Sequence, residues 1–378
     1  MAATHNAENE RIKRRYALYL ADANGASGAT VNSALAALTR FEAATGHRPF
    51  RAFHIEQARA FKRKLLETKS AAGVPLSLAT AHHVCKALEA FFVWLASEPG
   101  FRSRLKHGDA RYFRLNGNQV TAATSPRPEK PVPTIAQIER VLSAMPGETN
   151  IQRRDRALVA AALVTGARDG ALRTAQLRHV DLTDGVFQND GRAMNVKFGK
   201  VFPTWFFPVS ELALTIFKEW VMDARDKLLF GETDPLFPAT LVARNAASGL
   251  FEPTGLTRDF WADANPIREI FRRAFNAAGL PYANPHSFRK TLAEEGRRRH
   301  GNDVERFQAW AQNLGHESLL TTLTSYGKIA PARQAAIIRA SAGAAGQGDE
   351  PISDALRQRV LADLVAQHQV DRRNEGGR

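Results

Sequence analysis

The stretch Arg154-Asp-Arg-Ala-Leu-Val-Ala-Ala-Ala-Leu-Val-Thr-Gly-Ala-Arg168 decides the fold. Its apolar run predicts a strongly apolar helix from about Arg154 to Thr165. The segment Thr165-Gly-Ala-Arg168 ends this helix. Strand candidates separated by turn residues follow, and helices then return. Helices around one small antiparallel sheet form an α+β arrangement, the class we expect here. The strand candidates are Val180–Leu182, Ala193–Phe198 and Trp205–Val209, and the helices are Glu211–Lys227, Pro266–Ala278, Ser287–His300 and Val304–Gln312.

Upstream of this region, the first hundred residues predict a small helical domain, so the chain as a whole should be mostly α. Apolar residues recur at helical spacing in four segments, most clearly in the last, where Val84, Leu88 and Leu95 lie on one face. The third segment carries a basic face opposite its apolar one. The four predicted helices are 9–20, 29–44, His54–Thr68 and Ser77–Ala96.

A proline-rich segment and a helix-capping sequence predict the domain boundaries. Residues 116–130 have no apolar period and lie in a proline-rich stretch, which is typical of a linker. Thr134 then begins a capping-box sequence, and it predicts a helix through Met145. We therefore expect a helical domain over 1–115, a second domain over 131–342, and a glycine-containing tether with an amphipathic C-terminal helix over 343–378.

Charge points to a phosphate-rich partner. The 378 residues carry 52 Lys and Arg against 38 Asp and Glu, a net charge of +14. Residues 1–130 hold 20 of these basic residues against 10 acidic ones, so the excess lies at the N-terminal end. This distribution is expected if the first domain is the main contact with a polyanion. A generally basic surface is the alternative that charge alone leaves open.

Composition excludes several other classes. The single cysteine, Cys85, excludes an internal disulfide and a cysteine-based zinc cluster, and a reduced, partly buried thiol is its expected state. No window approaches the roughly 20 apolar residues that a membrane helix needs. The N-terminus lacks the layout of a signal peptide. We expect a cytoplasmic protein without a membrane partner.

The motifs of several enzyme classes are missing from the sequence. It has no phosphate-binding loop of the NTPases, no nucleophile elbow and no His-Glu-x-x-His, so NTPase, α/β-hydrolase and zincin functions have no support. Four cationic or imidazole-bearing segments remain, and each alone is compatible with a structural role such as a helix cap, a solvated turn or packing. They are Thr165-Gly-Ala-Arg168, Lys200 in a presumed turn, His286-Ser-Phe-Arg289, and Leu314-Gly-His316-Glu317 with Thr324-Ser-Tyr326 after it.

Together and in this order, these segments resemble the tyrosine recombinases of the phage integrase family. The resemblance covers nearly the whole chain, and it implies a helical, SAM-like core-binding domain followed by a tyrosine-recombinase catalytic domain. Two departures stand out. Ala171 replaces the acidic residue that the family commonly has three positions after its first arginine, and ten residues separate His316 from Tyr326 where nine is usual. The family's catalytic positions fall on Arg168, Lys200, His286, Arg289, His316 and Tyr326.

The chemistry of phosphodiester cleavage explains this set. Two guanidiniums, Arg168 and Arg289, can bind the nonbridging oxygens, where negative charge builds up during attack on phosphorus. A phenol must lose its proton to attack, and we assign His286 as the base. The resemblance implies that Lys200 protonates the leaving 5′-oxygen, that His316 bonds the phosphate or orients the tyrosine, and that Tyr326 forms a 3′-phosphotyrosine. No cofactor and no metal is required.

The resemblance also implies DNA contacts on two helices of the first domain. A solvated basic face is an equally good interpretation of each residue taken singly. Phosphate contacts of this kind would supply affinity and position rather than sequence choice. The expected contact residues are Arg59, Lys62, Arg63, Thr80, His83 and Lys86.

These expectations combine into one functional prediction with two rivals. We expect a site-specific recombinase or integrase whose two domains clamp duplex DNA, and which works as a homotetramer on two sites, possibly with accessory DNA-bending proteins. A type IB topoisomerase would use much the same residues to nick and reseal one duplex. A catalytically inactive DNA-binding relative would keep the fold alone.

Overall fold

The computed structural model of the chain describes residues 5–69, 73–125, 131–196, 199–244, 248–300 and 303–315. Over these ranges the chain is mostly helical with two small antiparallel sheets, which confirms the expected fold class. It divides into two compact units, Met1–Glu129 and Lys130–Arg378. No helix in the described part is long and apolar enough to cross a membrane. The predicted tether and C-terminal helix over 343–378 lie outside the described residues.

The first unit is built around an aromatic core. Phe92 stacks on Phe53 at 4.0 Å and on Phe113 at 5.5 Å between ring centroids, and Phe41 meets Phe92 edge-on. All four rings are buried, and such pairs stabilise a core beyond the area they remove from water. The first four helices confirm the predicted ones, and a π-helical turn, Tyr19–Ala23, extends the first. The helices are α1 (Ala7–Leu18), α2 (Gly28–Ala44), α3 (Ile55–Glu67), α4 (Leu78–Ser97), α5 (His107–Ala110) and α6 (Gly117–Thr124).

The predicted linker over 116–130 is wrong in its first half, because α6 occupies it. The side chain of Asn116 accepts from the Gln119 N–H at 2.8 Å, and the Gln119 side chain accepts from the Asn116 N–H at 3.2 Å. This capping box begins a helix that packs on α4, with Val120 against the aromatic core. The sequence did not predict this helix because Val120 is its one large apolar residue, and a single residue shows no helical period.

The second unit surrounds its sheet with helices, as expected. The capping box predicted at Thr134 is present, since its hydroxyl accepts from the Gln137 N–H at 3.2 Å. The middle strand of the first sheet is β2, which pairs antiparallel with both β1 and β3. Seven helices and five strands are described in this unit. They are α7 (Ile135–Ala144), α8 (Asn150–Thr165), α9 (Asp169–Thr174), β1 (Val180–Asp181), β2 (Val186–Asp190), β3 (Val201–Trp205), α10 (Glu211–Asp226), β4 (Thr240–Arg244), β5 (Phe251–Leu256), α11 (Asn265–Ala277), α12 (Pro285–His300) and α13 (Val304–Asn313).

Two of the three strand predictions are wrong. The segment predicted as Ala193–Phe198 begins with a turn, and its apolar residues Met194 and Val196 are buried as parts of a loop. The strand predicted from Trp205 ends there instead, and the Phe207 N–H donates to the carbonyl of Val164 at 2.8 Å. The β4–β5 hairpin was not predicted at all, because most of its residues are exposed and show no apolar alternation.

Helix α8 is the centre of the second unit. Every residue over 157–164 has no exposed surface, and α7, α10, α11 and α12 contact the helix. A helix that is apolar all round must be enclosed by other elements, and these four helices enclose it. The helix ends at Gly166, whose φ of +59° is left-handed. The segment after this glycine carries Arg168.

The other end of α8 is held by a buried arginine. Arg154 is 2% exposed, and its Nε donates to Asp155 at 2.7 Å. Its two Nη atoms donate to the Pro238 carbonyl and the Thr240 hydroxyl, and its guanidinium lies 4.8 Å from the ring of Trp261. The guanidinium therefore joins α8 to the base of the β4–β5 hairpin.

We expect Arg154→Leu to lower the free energy of unfolding by about 2 kcal/mol, since Asp155 then keeps only its 3.3 Å ion pair with the mostly exposed Arg273, and the Pro238 carbonyl loses its buried donor. Arg192→Leu is the control, because the Arg192–Asp190 pair is exposed and contributes little. Urea unfolding of the whole chain, followed by tryptophan fluorescence, measures both. Equal losses in the two variants would contradict the assignment.

Candidate active site

Arg168 is positioned by the turn that ends α8. A Cβ on Gly166 would lie 2.9 Å from Leu314 and 3.1 Å from Leu292, and its left-handed φ disfavours other residues as well. The Thr165 hydroxyl donates to the Ala161 carbonyl at 2.6 Å and accepts from the Ala167 N–H at 3.1 Å. The Thr-Gly-Ala-Arg segment therefore makes one compact turn. Arg168 lies at the N-cap of α9, half-buried.

Arg289 is the most enclosed of the predicted site residues that the structure describes. It is 3% exposed, and its two Nη atoms donate to the backbone carbonyls of Gly166 and Leu314. The helix that carries it begins at Pro285. The side chain of Asn284, the residue before it, accepts from the N–H of Ser287 at 3.0 Å and caps the helix. His286 lies three positions before Arg289, so both occupy one face of the first turn.

The two predicted arginines come together in space. Arg168 and Arg289 line one small cavity, although 121 positions separate them in the chain. Two buried polar residues of the sheet, Asn189 and Thr204, line it as well. Ala171, which stands where the resemblance expects an acid, is another lining residue and contributes no charge. Two guanidiniums that line one cavity are chemically suited to bind an anion with several oxygens.

Lys200 lies where the sequence predicted it, in the β2–β3 turn directly before β3. Its carbonyl accepts from the Gly191 N–H at 3.0 Å, which closes the hairpin. A Cβ on Gly191 would collide with the backbone of Gly199, so this close approach requires glycine. The Asn195 N–H donates to the Thr174 hydroxyl at 2.7 Å and ties the loop to α9. The lysine is thus carried by an anchored loop.

The electrostatics around His286 favour the neutral imidazole. Partial desolvation lowers the pKa of His286 below its usual 6.5, although part of the ring stays exposed. The positive charges of Arg289, Lys290 and Arg168 lower this pKa further, and Asp169 opposes them. Asp169 is itself paired with Arg268 at 2.9 Å. A neutral imidazole at pH 7 can accept a proton.

Two predicted catalytic residues, His316 and Tyr326, lie outside the described residues. The described chain ends at Gly315, whose φ is +70° and where a Cβ would lie 2.5 Å from the Phe202 ring of β3. Tyr282, the other tyrosine of this unit, is exposed, and Arg272 lies 5.4 Å above its ring. Among the residues that the structure describes, no three His, Cys, Asp or Glu side chains group as metal ligands do.

The predicted DNA-contact residues of the first unit separate into two groups. Lys62 donates to the carbonyls of Tyr112 and Arg114 at 3.0 and 2.7 Å, so its ammonium already serves the fold. Arg59 pairs with Glu56 at 2.9 Å on the surface. The other four residues are exposed, and the His83 ring bonds to the hydroxyl of Ser33. These four are Arg63, Thr80, His83 and Lys86.

The sequence did not predict the polar residues that support this site. Asn189, Thr204 and Asn313 form hydrogen bonds with one another across β2, β3 and the end of α13. The sequences of β2 and β3, Val-Phe-Gln-Asn-Asp and Val-Phe-Pro-Thr-Trp, do not alternate polar and apolar residues, although burial alternates along β2. The sequence therefore held no periodic signal for these polar residues.

We expect the His286 ring to titrate below pH 6.5 in the free protein, because its surroundings penalise the imidazolium. Lys290→Ala should raise the midpoint and Asp169→Asn should lower it. An NMR titration of carbon-labelled histidine, assigned with His286→Gln, measures all three. A wild-type midpoint at or above 6.5 would contradict the proposed electrostatics.

The chain is similar in sequence to a known tyrosine recombinase. It is 26% identical over 209 residues to the tyrosine recombinase XerC of Halalkalibacterium halodurans, over 54% of this chain and 61% of that protein. It thus spans less than two thirds of that relative's length.

Solved structures share the fold. The lambda integrase(75–356) dimer bound to a COC′ core site aligns with a TM-score of 0.54 and 16% identity, over 84% of this chain and 94% of that one. The lambda integrase tetramer bound to a Holliday junction aligns with a TM-score of 0.51 and 17% identity, over 83% of this chain and 78% of that one. The sequence profile of the phage integrase family matches residues 134–333, more than half of the chain and all the described residues of the site. The chain belongs to the phage integrase family.

Proposed function

We propose that this protein is a site-specific DNA recombinase that cleaves and rejoins DNA through a 3′-phosphotyrosine. The observation that carries the proposal is the pair Arg168 and Arg289, which line one cavity beside the Lys200 hairpin. Family membership supports the same reaction. The basic excess of the first 130 residues supports duplex DNA as the substrate.

The arginines would bind the scissile phosphate. Negative charge concentrates on its nonbridging oxygens as a fifth oxygen approaches phosphorus, and guanidiniums can bind those oxygens bidentately. The turn after α8 positions the backbone of Arg168, and backbone carbonyls hold the Arg289 guanidinium, before DNA arrives, which limits the reorganisation needed during the reaction. Arg289 is held most firmly, through the carbonyls of Gly166 and Leu314.

The remaining residues would move protons. In the proposed step the phenol oxygen of Tyr326 attacks phosphorus, and its proton passes to the neutral imidazole of His286. The bond to the 5′-oxygen breaks, and this oxygen takes a proton from the Lys200 ammonium. His316 would bond the phosphate or orient the tyrosine. Rejoining is the reverse with a new 5′-hydroxyl, so the transfer itself uses no ATP.

The assembly is proposed by analogy with the structural neighbours. Lambda integrase appears as a dimer on a core site and as a tetramer on a Holliday junction. A reaction that exchanges strands between two duplexes needs four cleavage sites, and four copies of this chain would supply them. Accessory DNA-bending proteins are compatible with this assembly.

Two other functions would use the same fold. A type IB topoisomerase would form the same covalent intermediate but reseal one duplex, and an inactive relative would bind DNA without forming it. The order of the domains and the Leu-Gly-His box favour the recombinase. Strand exchange between two labelled sites separates it from the topoisomerase, and covalent trapping separates either enzyme from the inactive protein.

We expect Tyr326→Phe to abolish the covalent adduct while the affinity for DNA changes by less than about twofold, because only the nucleophilic oxygen is lost. A nicked suicide substrate traps the adduct, and denaturing gels detect it. Tyr282→Phe is the matched control and should react as the wild type does. An adduct that persists in Tyr326→Phe, or one that maps to Tyr282, would overturn the assignment of the nucleophile.

The first unit should bind DNA mainly through phosphates. We expect Lys86→Ala and Arg63→Ala each to reduce the slope of log affinity against log salt by about 1, because each removes one phosphate contact. Arg140→Ala is the charge-matched control, since Arg140 is exposed on α7 and outside the predicted set. Filter binding at several salt concentrations measures the slopes. Unchanged slopes for both variants would contradict the predicted contacts.

A further inference from the structure

We propose that Asn313, the last residue of α13, is a positioning residue that aligns the strand following Lys200 with the pocket that holds Arg289. The inference rests on the proposed function, since it concerns the geometry of that reaction. Its basis is a set of hydrogen bonds that joins two segments about 110 positions apart in the chain.

The side chain of Asn313 completes the open edge of β3. Its Oδ1 accepts from the Trp205 N–H at 2.8 Å, and its Nδ2 donates to the Trp205 carbonyl at 2.8 Å. These bonds define the orientation of the amide, because a backbone N–H only donates and a carbonyl only accepts. Among the strands of the described part of the chain β3 pairs only with β2, so this amide takes the place of a neighbouring strand at Trp205.

The backbone beside this side chain holds the arginine. The carbonyl of Asn313 accepts from the Thr204 hydroxyl at 3.1 Å, and the next carbonyl, that of Leu314, accepts from an Nη of Arg289. Consecutive peptide groups thus bind β3 on one side and Arg289 on the other. A shift of β3 against α13 would therefore change the distance between Lys200 and Arg289.

The hydrogen bonds of Thr204 in this connection are shielded from solvent, whereas those between the Asn313 side chain and Trp205 lie at the surface. Thr204 is 1% exposed and Asn189 is 5% exposed, and the Asn189 amide donates to the Thr204 hydroxyl at 3.0 Å. The Thr204 hydroxyl donates its one hydrogen to the Asn313 carbonyl and accepts from the Asn189 amide, so the donor and the acceptor of each bond are fixed. Breaking such a buried bond leaves a polar group unpaired, which is costly. Nearer to Lys200, the Phe202 ring packs against Gly315.

The test compares two variants at Asn313 with a control. Asn313→Ala removes both side-chain bonds, and Asn313→Asp keeps the acceptor but places a carboxylate oxygen against the Trp205 carbonyl. Thr134→Ala is the control: it removes the helix cap of α7, so this variant is less stable, but the hydrogen bonds between Asn313 and β3 are unchanged. Single-turnover adduct formation is measured on ordinary DNA and on DNA whose scissile 5′-oxygen is replaced by sulfur. A thiolate leaves without a proton, so this substrate does not need the lysine.

We expect both Asn313 variants to slow adduct formation on ordinary DNA by on the order of 10- to 100-fold, since a displacement of about 1 Å has effects of this size. DNA affinity should stay within about twofold, and the loss should shrink to a few-fold on the sulfur substrate, as it should for Lys200→Ala. Hydrogen exchange should rise over residues 201–205 in the Asn313 variants and not in Thr134→Ala.

Three results would overturn the inference while the proposed function stands. They are a wild-type cleavage rate in Asn313→Ala, an equal loss on both substrates, and unchanged hydrogen exchange in β3. Failure of the wild-type chain to form an adduct on either substrate would instead overturn the proposed function, and the inference with it.

Discussion

The buried guanidinium of Arg289 is the constraint on which the described part of the site depends. A cation that is 3% exposed needs acceptors inside the fold, because an unpaired buried charge is among the costliest features of a fold. Its two Nη atoms use carbonyls from the end of α8 and the end of α13. The guanidinium therefore fixes these two chain ends to α12, and the site forms where the three helices meet.

Two glycines make this arrangement sterically possible. Gly166 exposes the carbonyl that Arg289 binds, and it does so in a left-handed turn packed against Leu314 and Leu292. Gly315 follows the second carbonyl, and its Cα faces the Phe202 ring so closely that a Cβ would not fit. The Thr165-Gly166 and Leu314-Gly315 pairs thus share one physical role. Each ends a helix abruptly and presents a carbonyl to the same arginine.

Basic residues are distributed differently in the two units. In the first unit the interior is aromatic and the basic residues are mostly on the surface, where Arg63, Thr80, His83 and Lys86 are exposed. In the second unit arginines enter the interior, Arg154 at one end of α8 and Arg289 at the other. The first pattern suits attraction to a polyanion, whereas in the second each guanidinium binds carbonyls from distant segments and joins them to a helix.

The sequence by itself determined the longer helices, the α+β class and the order of the site residues. Helical periods are local, the Thr134 capping box is four residues long, and a Thr-Gly-Ala-Arg turn depends on its own backbone, so each could be recognised without a fold. The position of Lys200 in a turn was predictable for the same reason. The strands were not, since Met194 and Val196 are apolar because they lie in a buried loop, and only the tertiary packing makes that loop part of the core. Only the tertiary structure brought Arg168 and Arg289 to one cavity, used Lys62 to bind carbonyls, and joined Asn313 to Trp205. These are contacts between residues 50 to 121 positions apart, and a periodic or local pattern holds no information about which distant groups will satisfy one another's hydrogen bonds.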